Sequence, residues 1–324
     1  MNPSKLFLPL GVLAFALATV AAGLDLRHVE KETVVVYATP ALQEFLERVV
    51  LPEFRRDTGF DVVPVYMTAS EEYYRVRLAP QRPEADVFVH ASPLFLEKGY
   101  ASGIIEPMDA GVDLGVGNQS RAVPGGAIWY AFAWSPLVAV HRPGDGPIDL
   151  ASDDGSFGFA HPQLSNNGVY NVLFFEALDP AVGHAVLGRT VVQPVNARAT
   201  IGGVAEGSYD FTLGYEAVGR YYQGRGAQIE LSVPILAGEP VTTPVLFSVA
   251  LVRNHPHEAA ADFVRTFFQP EVQAHLAESH FRPILAGFPQ PSDGLDVSAA
   301  RSVQYDWSTW DALESKLPSY EVNR

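Results

Sequence analysis

Hydroxyl and amide side chains recur in this sequence where a strand-like run gives way to a helix-like pattern. Thr39, Ser70 and Ser92 each follow a short strand-like run, and Ser165 and Asn167 stand before a further helical pattern. Each of these residues alone is predicted to be a helix N-cap, because its side-chain oxygen accepts a hydrogen bond from an unpaired backbone N–H group. Where several helix N-termini face one cleft, the free N–H groups also bind anions. The pattern therefore predicts capping at each turn and anion binding where the turns meet.

The runs before these turns have the pattern of strands in a parallel sheet. Residues 33–37 (TVVVY), 60–66 and 86–89 (DVFV) are predicted strands, since short β-branched apolar runs are typical of strands buried on both faces. Between the first two, a helical pattern begins at Pro40 and ends at Gly59, a proline start and a glycine C-cap. Strict alternation of strand and helix predicts a parallel sheet, whose carboxyl edge is where open α/β folds bind ligands.

The second half of the chain repeats this alternation in a smaller unit. Strands are predicted at 157–160 and 209–213, a helix at 167–178, and a fully apolar strand at 245–252. The fold predicted is α/β, with two domains, a central cleft and a hinge made of two chain segments. The predicted divisions are a first domain of residues 30–130 and 246–324, an inserted second domain of residues 131–245, and crossings near 130–140 and 244–252.

Composition and motifs exclude several classes of function. The net charge of −15 argues against a nucleic-acid binder, which needs a basic surface. The absence of cysteine excludes disulfides, thiolate metal sites and a cysteine nucleophile. The sequence also lacks the G-x-S-x-G, G-x-x-x-x-G-K-[ST], H-E-x-x-H and G-x-G-x-x-G motifs. His255 and His257 form a close histidine pair, which is predicted to cap a helix rather than to bind metal. We therefore expect a binding protein, without a cofactor, rather than an enzyme.

Residues 1–22 have the pattern of a secretory signal peptide. Lys5 precedes an apolar run from residue 6 to 22, which ends in small residues around Ala22. An uncleaved membrane anchor is the alternative, because the run approaches the length that spans a bilayer. The sequence thus predicts an exported, periplasmic protein.

Four segments of the mature chain resemble the type 2 periplasmic solute-binding proteins of ABC transporters, the group that includes molybdate, tungstate, sulfate and iron binders. The segments are VVVYATPALQEFLERVVLPEFRRDTGFDVVPVY, EADVFVHASPLFLEKGYASGIIEP, WYAFAWSPLVAVHRPG and SVALVRNHPHEAAADFVRTFFQPEVQAHLAESHFRPI. The last is similar to the closing segment of that family. The resemblance implies a small ligand held between the domains, delivery to an ABC permease in the inner membrane, a monomer and no nucleic-acid partner.

The resemblance also implies a set of site residues and a ligand class. The implied ligand-binding residues are Thr39, Ser70, Ala91, Ser92, Ser165, Asn167, Gly168 and Tyr215. Ser165 and Gly214 stand where the archaeal tungstate and molybdate group supplies carboxylates, so the resemblance implies a tetrahedral oxyanion such as molybdate, tungstate or sulfate. Iron(III) is the alternative cargo, for which Tyr221 and Tyr222, or Tyr73 and Tyr74, would be the ligands. A small organic ion is a further alternative.

Two other classes of function stay open on the sequence alone. A secreted hydrolase would use Ser135 or Ser156 as nucleophile with His161 as base, although the residues follow no spacing rule. A sensor would bind a solute without a dedicated permease. Among the residues outside the predicted site, Trp307 and Trp310 are expected to pack against the first domain.

Overall fold

The structure, a computed structural model, describes residues 33–114, 119–255 and 257–322. The predicted signal peptide at residues 1–22 lies outside the described residues. Within them the fold is mixed α/β, as predicted, and none of the helices there has the length and apolarity needed to cross a membrane.

The longest strands follow the apolar runs of the sequence. The strand bounds are β1 Thr33–Ala38, β2 Asp61–Tyr66, β3 Val87–His90, β4 Ile105–Glu106, β5 Ser120–Val123, β6 Gly126–His141, β7 Phe157–Gly158, β8 Thr190–Val192, β9 Phe211–Tyr215, β10 Glu230–Ser232, β11 Ile235–Leu236, β12 Glu239–Thr242, β13 Pro244–Val252, β14 Arg282–Pro283 and β15 Arg301–Ser302.

The α-helices alternate with these strands. Their bounds are α1 Gln43–Phe45, α2 Leu51–Thr58, α3 Ala69–Leu78, α4 Leu94–Ala101, α5 Asn166–Leu178, α6 Pro180–Gly188, α7 Ala197–Ala205, α8 Glu216–Gly224, α9 Ala260–Thr266, α10 Pro270–Ala274 and α11 Trp310–Glu314. A 3-10 turn at Pro40–Leu42 and a π-helical stretch at Leu46–Val50 join with α1 and α2 into one helical segment, which ends at Gly59 with φ +77°.

One large sheet runs through the molecule, with strand order β2-β1-β3-β13-β6-β9-β7-β8. Strands β1, β2 and β3 are parallel, and so are β7, β8 and β9, whereas β6 and β13 run antiparallel to their neighbours. We call the part around β2, β1 and β3 the first lobe, and the part around β9, β7 and β8 the second lobe. Both parallel groups present helix-start turns to the junction between the lobes.

Strands β6 and β13 connect the two lobes. The first part of β6 pairs with β13 through Pro136, and from Leu137 onward β6 pairs with β9. At this switch the backbone N–H of Leu137 donates to Thr243 O at 2.9 Å, and Thr242 Oγ1 donates to Leu137 O at 2.8 Å. Most of β6 and β13 is buried, and Phe132 and Phe247 on them are fully buried. The connection between the lobes is therefore hydrogen-bonded sheet.

The end of the chain crosses from one lobe to the other along one side of the junction. We call Trp307–Tyr320 the C-terminal strap. Its first turn and α11 pack against α4 of the first lobe, and its last turn packs against α5 of the second lobe. The sequence had assigned all of 246–324 to the first domain, so the second-lobe contacts of the strap depart from that expectation.

Candidate functional site

Helix N-caps from both lobes line one small cavity that is partly open to solvent, which we call the central cavity. Its five N-cap residues are Thr39 and Thr68 from the first lobe and Ser165, Asn196 and Tyr215 from the second. Of the helices that they cap, α3, α5, α7 and α8 are at least nine residues long. Their partial positive charges therefore converge on one small space between the lobes.

Three of the caps use their side chains on the helix that they start. Thr68 forms a capping box, in which its Oγ1 accepts from Glu71 N at 3.3 Å and its own N–H donates to Glu71 Oε2 at 2.9 Å. Ser165 Oγ accepts from Asn167 N at 3.2 Å, and Asn196 Oδ1 accepts from Ala199 N at 2.9 Å. These bonds fix the first turn of each helix around the cavity.

Other polar groups of the cavity lining have no protein partner. Thr39 makes no capping bond with its side chain, and the Tyr215 hydroxyl is buried without a hydrogen-bond partner. The side-chain oxygens of Asn166 and Asn167 are likewise buried and unpaired. Burial raises the pKa of Tyr215 well above its usual value, so its hydroxyl remains a hydrogen-bond donor at neutral pH. Unpaired buried polar groups are costly, so their concentration here indicates a place for a ligand.

The start of α5 is held tightly against the sheet. Asn167 Nδ2 donates to Leu213 O at 3.1 Å, which ties the helix to β9. A Cβ on Gly168 would lie 2.4 Å from His161 O, so glycine is required for this close approach. The N-terminus of α5 is thus positioned by backbone packing as well as by its cap.

The electrostatics of the central cavity favour an anion. Among the described residues, no Asp, Glu, Lys, Arg or His side chain lines it. The positive potential therefore comes from helix ends and oriented N–H groups, as in many oxyanion sites. Without a carboxylate in the lining, a negatively charged ligand meets no like charge there.

The structure brings together some of the residues that the sequence proposed. Thr39, Ser165, Asn167 and Tyr215 all line the central cavity. The other four proposed residues are described by the structure but lie outside the lining of this cavity, namely Ser70, Ala91, Ser92 and Gly168.

Two of these outlying residues have local structural roles. Ser92 is fully buried, and its Oγ accepts from Leu94 N at 3.2 Å at the start of α4. Ser70 contacts Thr68 Oγ1 at 3.3 Å, behind the residue that actually caps α3. The predicted helix start at Ser70 therefore lies two residues beyond the observed N-cap.

A buried carboxyl–imidazole contact lies behind these turns. Glu72 of α3 and His90 at the end of β3 meet through Glu72 Oε2 and His90 Nε2, and both side chains are completely buried. Burial raises the pKa of the Glu72 carboxyl. The pair joins α3 to β3 and so supports the first-lobe side of the cavity.

The tyrosine pairs proposed for iron lie elsewhere. Tyr222 OH donates to Arg198 O at 3.1 Å, and the guanidinium groups of Arg198 and Arg225 both lie close to the Tyr221 ring. Tyr73 OH pairs with Ser102 Oγ at 2.7 Å, and Tyr74 is half exposed. Among the described residues, no group of three or more His, Cys, Asp or Glu side chains could hold a metal.

Sequence reasoning missed Thr68 and Asn196. The signal for Thr68 was present, because Thr68 and Glu71 have the spacing of a capping box. Asn196 precedes Ala197–Ala205, a segment with two glycines and no strong amphipathic pattern, so its helix start was hard to recognise.

The proposed hydrolase residues are used structurally. Ser135 Oγ accepts from Ala217 N at 3.1 Å, and Ser156 Oγ donates to Asp210 at 2.6 Å. His161 Nδ1 lies 3.3 Å from Gln163 N. In these contacts neither serine is paired with His161.

Comparisons with known proteins place this geometry in context. A family model of bacterial extracellular solute-binding proteins matches residues 34–282. The chain is similar to the thiamine-binding periplasmic protein of Haemophilus influenzae, with 24% identity over 234 residues, 69% of this chain and 70% of that protein.

Two solved structures share the fold. One is the periplasmic binding protein AfuA from Actinobacillus pleuropneumoniae with fructose-6-phosphate bound, with a TM-score of 0.74, 14% identity, and coverage of 89% of this chain and 98% of that one. The other is iron-bound HitA from Pseudomonas aeruginosa, with a TM-score of 0.72, 16% identity, and coverage of 90% and 99%.

Proposed function

The chain belongs to the bacterial extracellular solute-binding proteins, a transport family rather than an enzyme family, and on that premise we propose that its central cavity captures a small oxyanion for an ABC importer. The cargo is a tetrahedral anion of the molybdate, tungstate or sulfate type, or the anionic group of a small organic ion. The cognate permease recognises the closed, loaded form.

One observation carries this proposal, which is the convergence of five helical N-caps on a cavity without charged side chains. A micromolar ligand needs about 8 kcal/mol of binding free energy. Each helix N-terminus contributes about 0.3–1 kcal/mol, and each hydrogen bond to a charged group about 1.5–3 kcal/mol. Four or five such bonds, with the helix ends, suffice for micromolar affinity.

The two-lobed origin of the lining supports a closing mechanism. Thr39 and Thr68 come from the first lobe, whereas Ser165, Asn196 and Tyr215 come from the second. If the lobes separated, the hydrogen-bond donors of the lining would no longer surround one ligand. Ligand binding therefore favours the closed form. We propose residues 30–130 and 246–324 as the first domain, 131–245 as the second, and β6 with β13 as the hinge.

Iron(III) is less well supported as cargo. Tyr215 is the sole phenol that lines the central cavity among the described residues, and iron(III) favours several hard oxygen ligands. Further iron ligands would have to come from residues outside this lining. An anion, in contrast, accepts hydrogen bonds from the N–H and hydroxyl groups that already line the central cavity.

Membership of this family supports a periplasmic location and delivery of the ligand to a permease. We propose export to the periplasm through the leader at residues 1–22 and action as a monomer that delivers its ligand to an inner-membrane permease. Native mass spectrometry of the exported protein would identify a retained ligand by its mass.

Titration calorimetry tests the cargo class. Sulfate, phosphate, molybdate, tungstate, ferric citrate and thiamine are each titrated into the purified protein. We expect saturable binding of an oxyanion, and at least a tenfold loss of affinity in Tyr215→Phe, because one donor to a charged ligand is removed.

The matched control is Tyr74→Phe, which removes the same hydroxyl from a half-exposed residue outside the cavity and should bind as the wild type does. Binding of ferric citrate alone, or equal affinity in Tyr215→Phe and wild type, would contradict the oxyanion proposal.

A further inference from the structure

A second, larger cavity, also partly open to solvent, lies beside the central cavity at the junction of the lobes. We call it the junction cavity. Arg48 from the first lobe and Arg198, Tyr221 and Arg225 from the second are among its lining residues. Arg198 directly follows Ala197, which lines the central cavity, so the two cavities are neighbours.

Two of these arginines are held on one tyrosine ring. The guanidinium carbons of Arg198 and Arg225 lie 4.9 and 4.6 Å from the centre of the Tyr221 ring. Arg198 Nη1 donates to Gln43 Oε1 of the first lobe at 3.1 Å, and its Nε is buried without a partner. The pair is thus ordered by stacking and is incompletely hydrogen-bonded.

Neither of these guanidiniums is neutralised. Among the described residues, no carboxylate lies within 4 Å of Arg198 or Arg225. This is notable in a chain with 37 acidic and 22 basic residues and a net charge of −15. Like charges held close together repel one another, so binding of an anion between them is favoured.

The acidic residues that line the junction cavity are engaged with other groups. Glu44 pairs with Arg48 at 2.7 Å, and Glu278 pairs with His275 at 2.9 Å. His280, also in the lining, pairs with Asp293 at 3.1 Å. The charge left unpaired in the cavity is therefore that of Arg198 and Arg225.

We propose that the junction cavity is a second anion site, which takes a phosphate-type group between Arg198 and Arg225 of the second lobe and Arg48 of the first. Arginine suits this role, because its planar fork binds phosphate and carboxylate oxygens in pairs. Because the site uses residues of both lobes, an anion bound there stabilises their closed arrangement and so raises the affinity of the central cavity for its ligand. By thermodynamic linkage, a ligand in the central cavity raises the affinity of the junction cavity for the anion by the same factor. The site does not depend on which ligand the central cavity takes.

Arginine reactivity tests the site in the wild-type protein. Phenylglyoxal modifies accessible guanidinium groups, and peptide mass spectrometry reports the rate at each arginine. We expect inorganic phosphate at millimolar concentration to slow modification of Arg198 and Arg225 at least fivefold. Arg55 and Arg56 of α2 serve as internal controls, because both are exposed and already paired with carboxylates. Equal protection at all four arginines, or none at Arg198 and Arg225, overturns the proposal.

Equilibrium dialysis with labelled phosphate separates this site from the central cavity. The double variant Arg198→Gln/Arg225→Gln should lose at least tenfold in affinity for one phosphate, whereas Arg55→Gln/Arg56→Gln, with the same loss of charge, should not. Tyr215→Phe should keep the junction-cavity phosphate, so failure of the oxyanion cargo and failure of this site are distinguishable. A parallel dialysis with glycerol 3-phosphate shows whether the site prefers a phosphate ester or the free ion. The proposal fails if the two double variants bind phosphate with equal affinity.

Discussion

The two flanks of the lobe junction differ in burial and in charge. On one flank, the C-terminal strap buries aromatic side chains, with Trp307 2% exposed and Tyr320 0% exposed. On the other, the junction cavity is open space, and Arg198 and Arg225 lack carboxylate partners. The comparison teaches that one flank is made to stabilise the fold and the other is left available to a ligand.

The strap has an anchor on each lobe. Lys98 of α4 pairs with Glu314 at 2.5 Å in the first lobe, and Lys316 pairs with Glu176 of α5 at 2.5 Å in the second. Tyr320 then stacks on His184 with ring centres 4.7 Å apart. Its apolar burial distinguishes this flank from the arginine flank, where Arg198 lies on the Tyr221 ring and donates a hydrogen bond to Gln43 of the first lobe.

The largest effect is expected at Tyr320. Replacing it in Tyr320→Ala empties a site between Phe159 and His184, and such losses of a buried aromatic ring cost about 3–5 kcal/mol. We expect the free energy of unfolding in urea to fall by about 3 kcal/mol. The control Tyr74→Ala removes a half-exposed ring and should change it by less than about 0.5 kcal/mol. Equal effects of the two variants would break the comparison.

A smaller effect is expected at the first-lobe anchor. The side chain of Lys98 is 12% exposed and that of Glu314 is 35% exposed, so their pair is partly shielded from solvent. A double-mutant cycle with Lys98→Met and Glu314→Gln should give a coupling of about 0.5–1 kcal/mol. A coupling near zero would mean that the strap is held by its aromatic residues alone.

Acid should weaken the first turn of the strap. Asp306 Oδ1 accepts from Ser308 N at 2.9 Å at the first turn of the strap, and hydrogen bonds to Ser308 lower the pKa of this carboxyl. Its stabilising effect is therefore fully present above the unfolded-state pKa of about 3.9 and is lost as pH falls through the lower folded value.

The measurement is the difference in unfolding free energy between wild type and Asp306→Asn across this pH range. We expect a small difference at pH 7 that disappears in acid. A difference that grows as pH falls would have the wrong sign and would exclude this role for Asp306.

The smallest effect on stability is expected on the arginine flank. Without added anion, Arg198→Gln/Arg225→Gln should unfold within about 0.5 kcal/mol of wild type, because like-charge repulsion is relieved while a few stacking contacts are lost. Urea unfolding in a buffer without phosphate or sulfate checks this. If the free energy of unfolding fell as much as in Tyr320→Ala, both flanks would be needed to stabilise the fold.

The sheet and several site turns were predictable from local patterns. The apolar runs around Val35, Phe88 and Phe247 gave strands, because a strand buried on both faces needs continuous apolar residues. Ser165 was recognised as an N-cap for the same local reason, whereas Thr39, also predicted to cap, precedes its helical turn without a capping bond from its side chain. Ser70 was chosen in place of Thr68 because helix boundaries depend on one or two hydrogen bonds, which a periodic pattern does not resolve.

The arginine flank and the strap were beyond local patterns. Arg198 and Tyr221 are 23 positions apart in the chain and meet only because α7 and α8 pack side by side. The strap was expected on the first domain, and Trp307 does pack near α4, but it also contacts Tyr170 of the second lobe at 5.6 Å between ring centres. Such contacts depend on the route of the chain through space rather than on residue spacing.

The 16-residue strand β6 has a consequence for how the molecule comes apart. Its backbone is shared, since its first part completes the sheet of one lobe and its last part completes the sheet of the other. Neither half can melt without exposing hydrogen bonds and apolar residues that the remaining half also uses. Calorimetry should therefore record a single cooperative endotherm, in contrast to the two independent transitions of domains joined by a flexible linker.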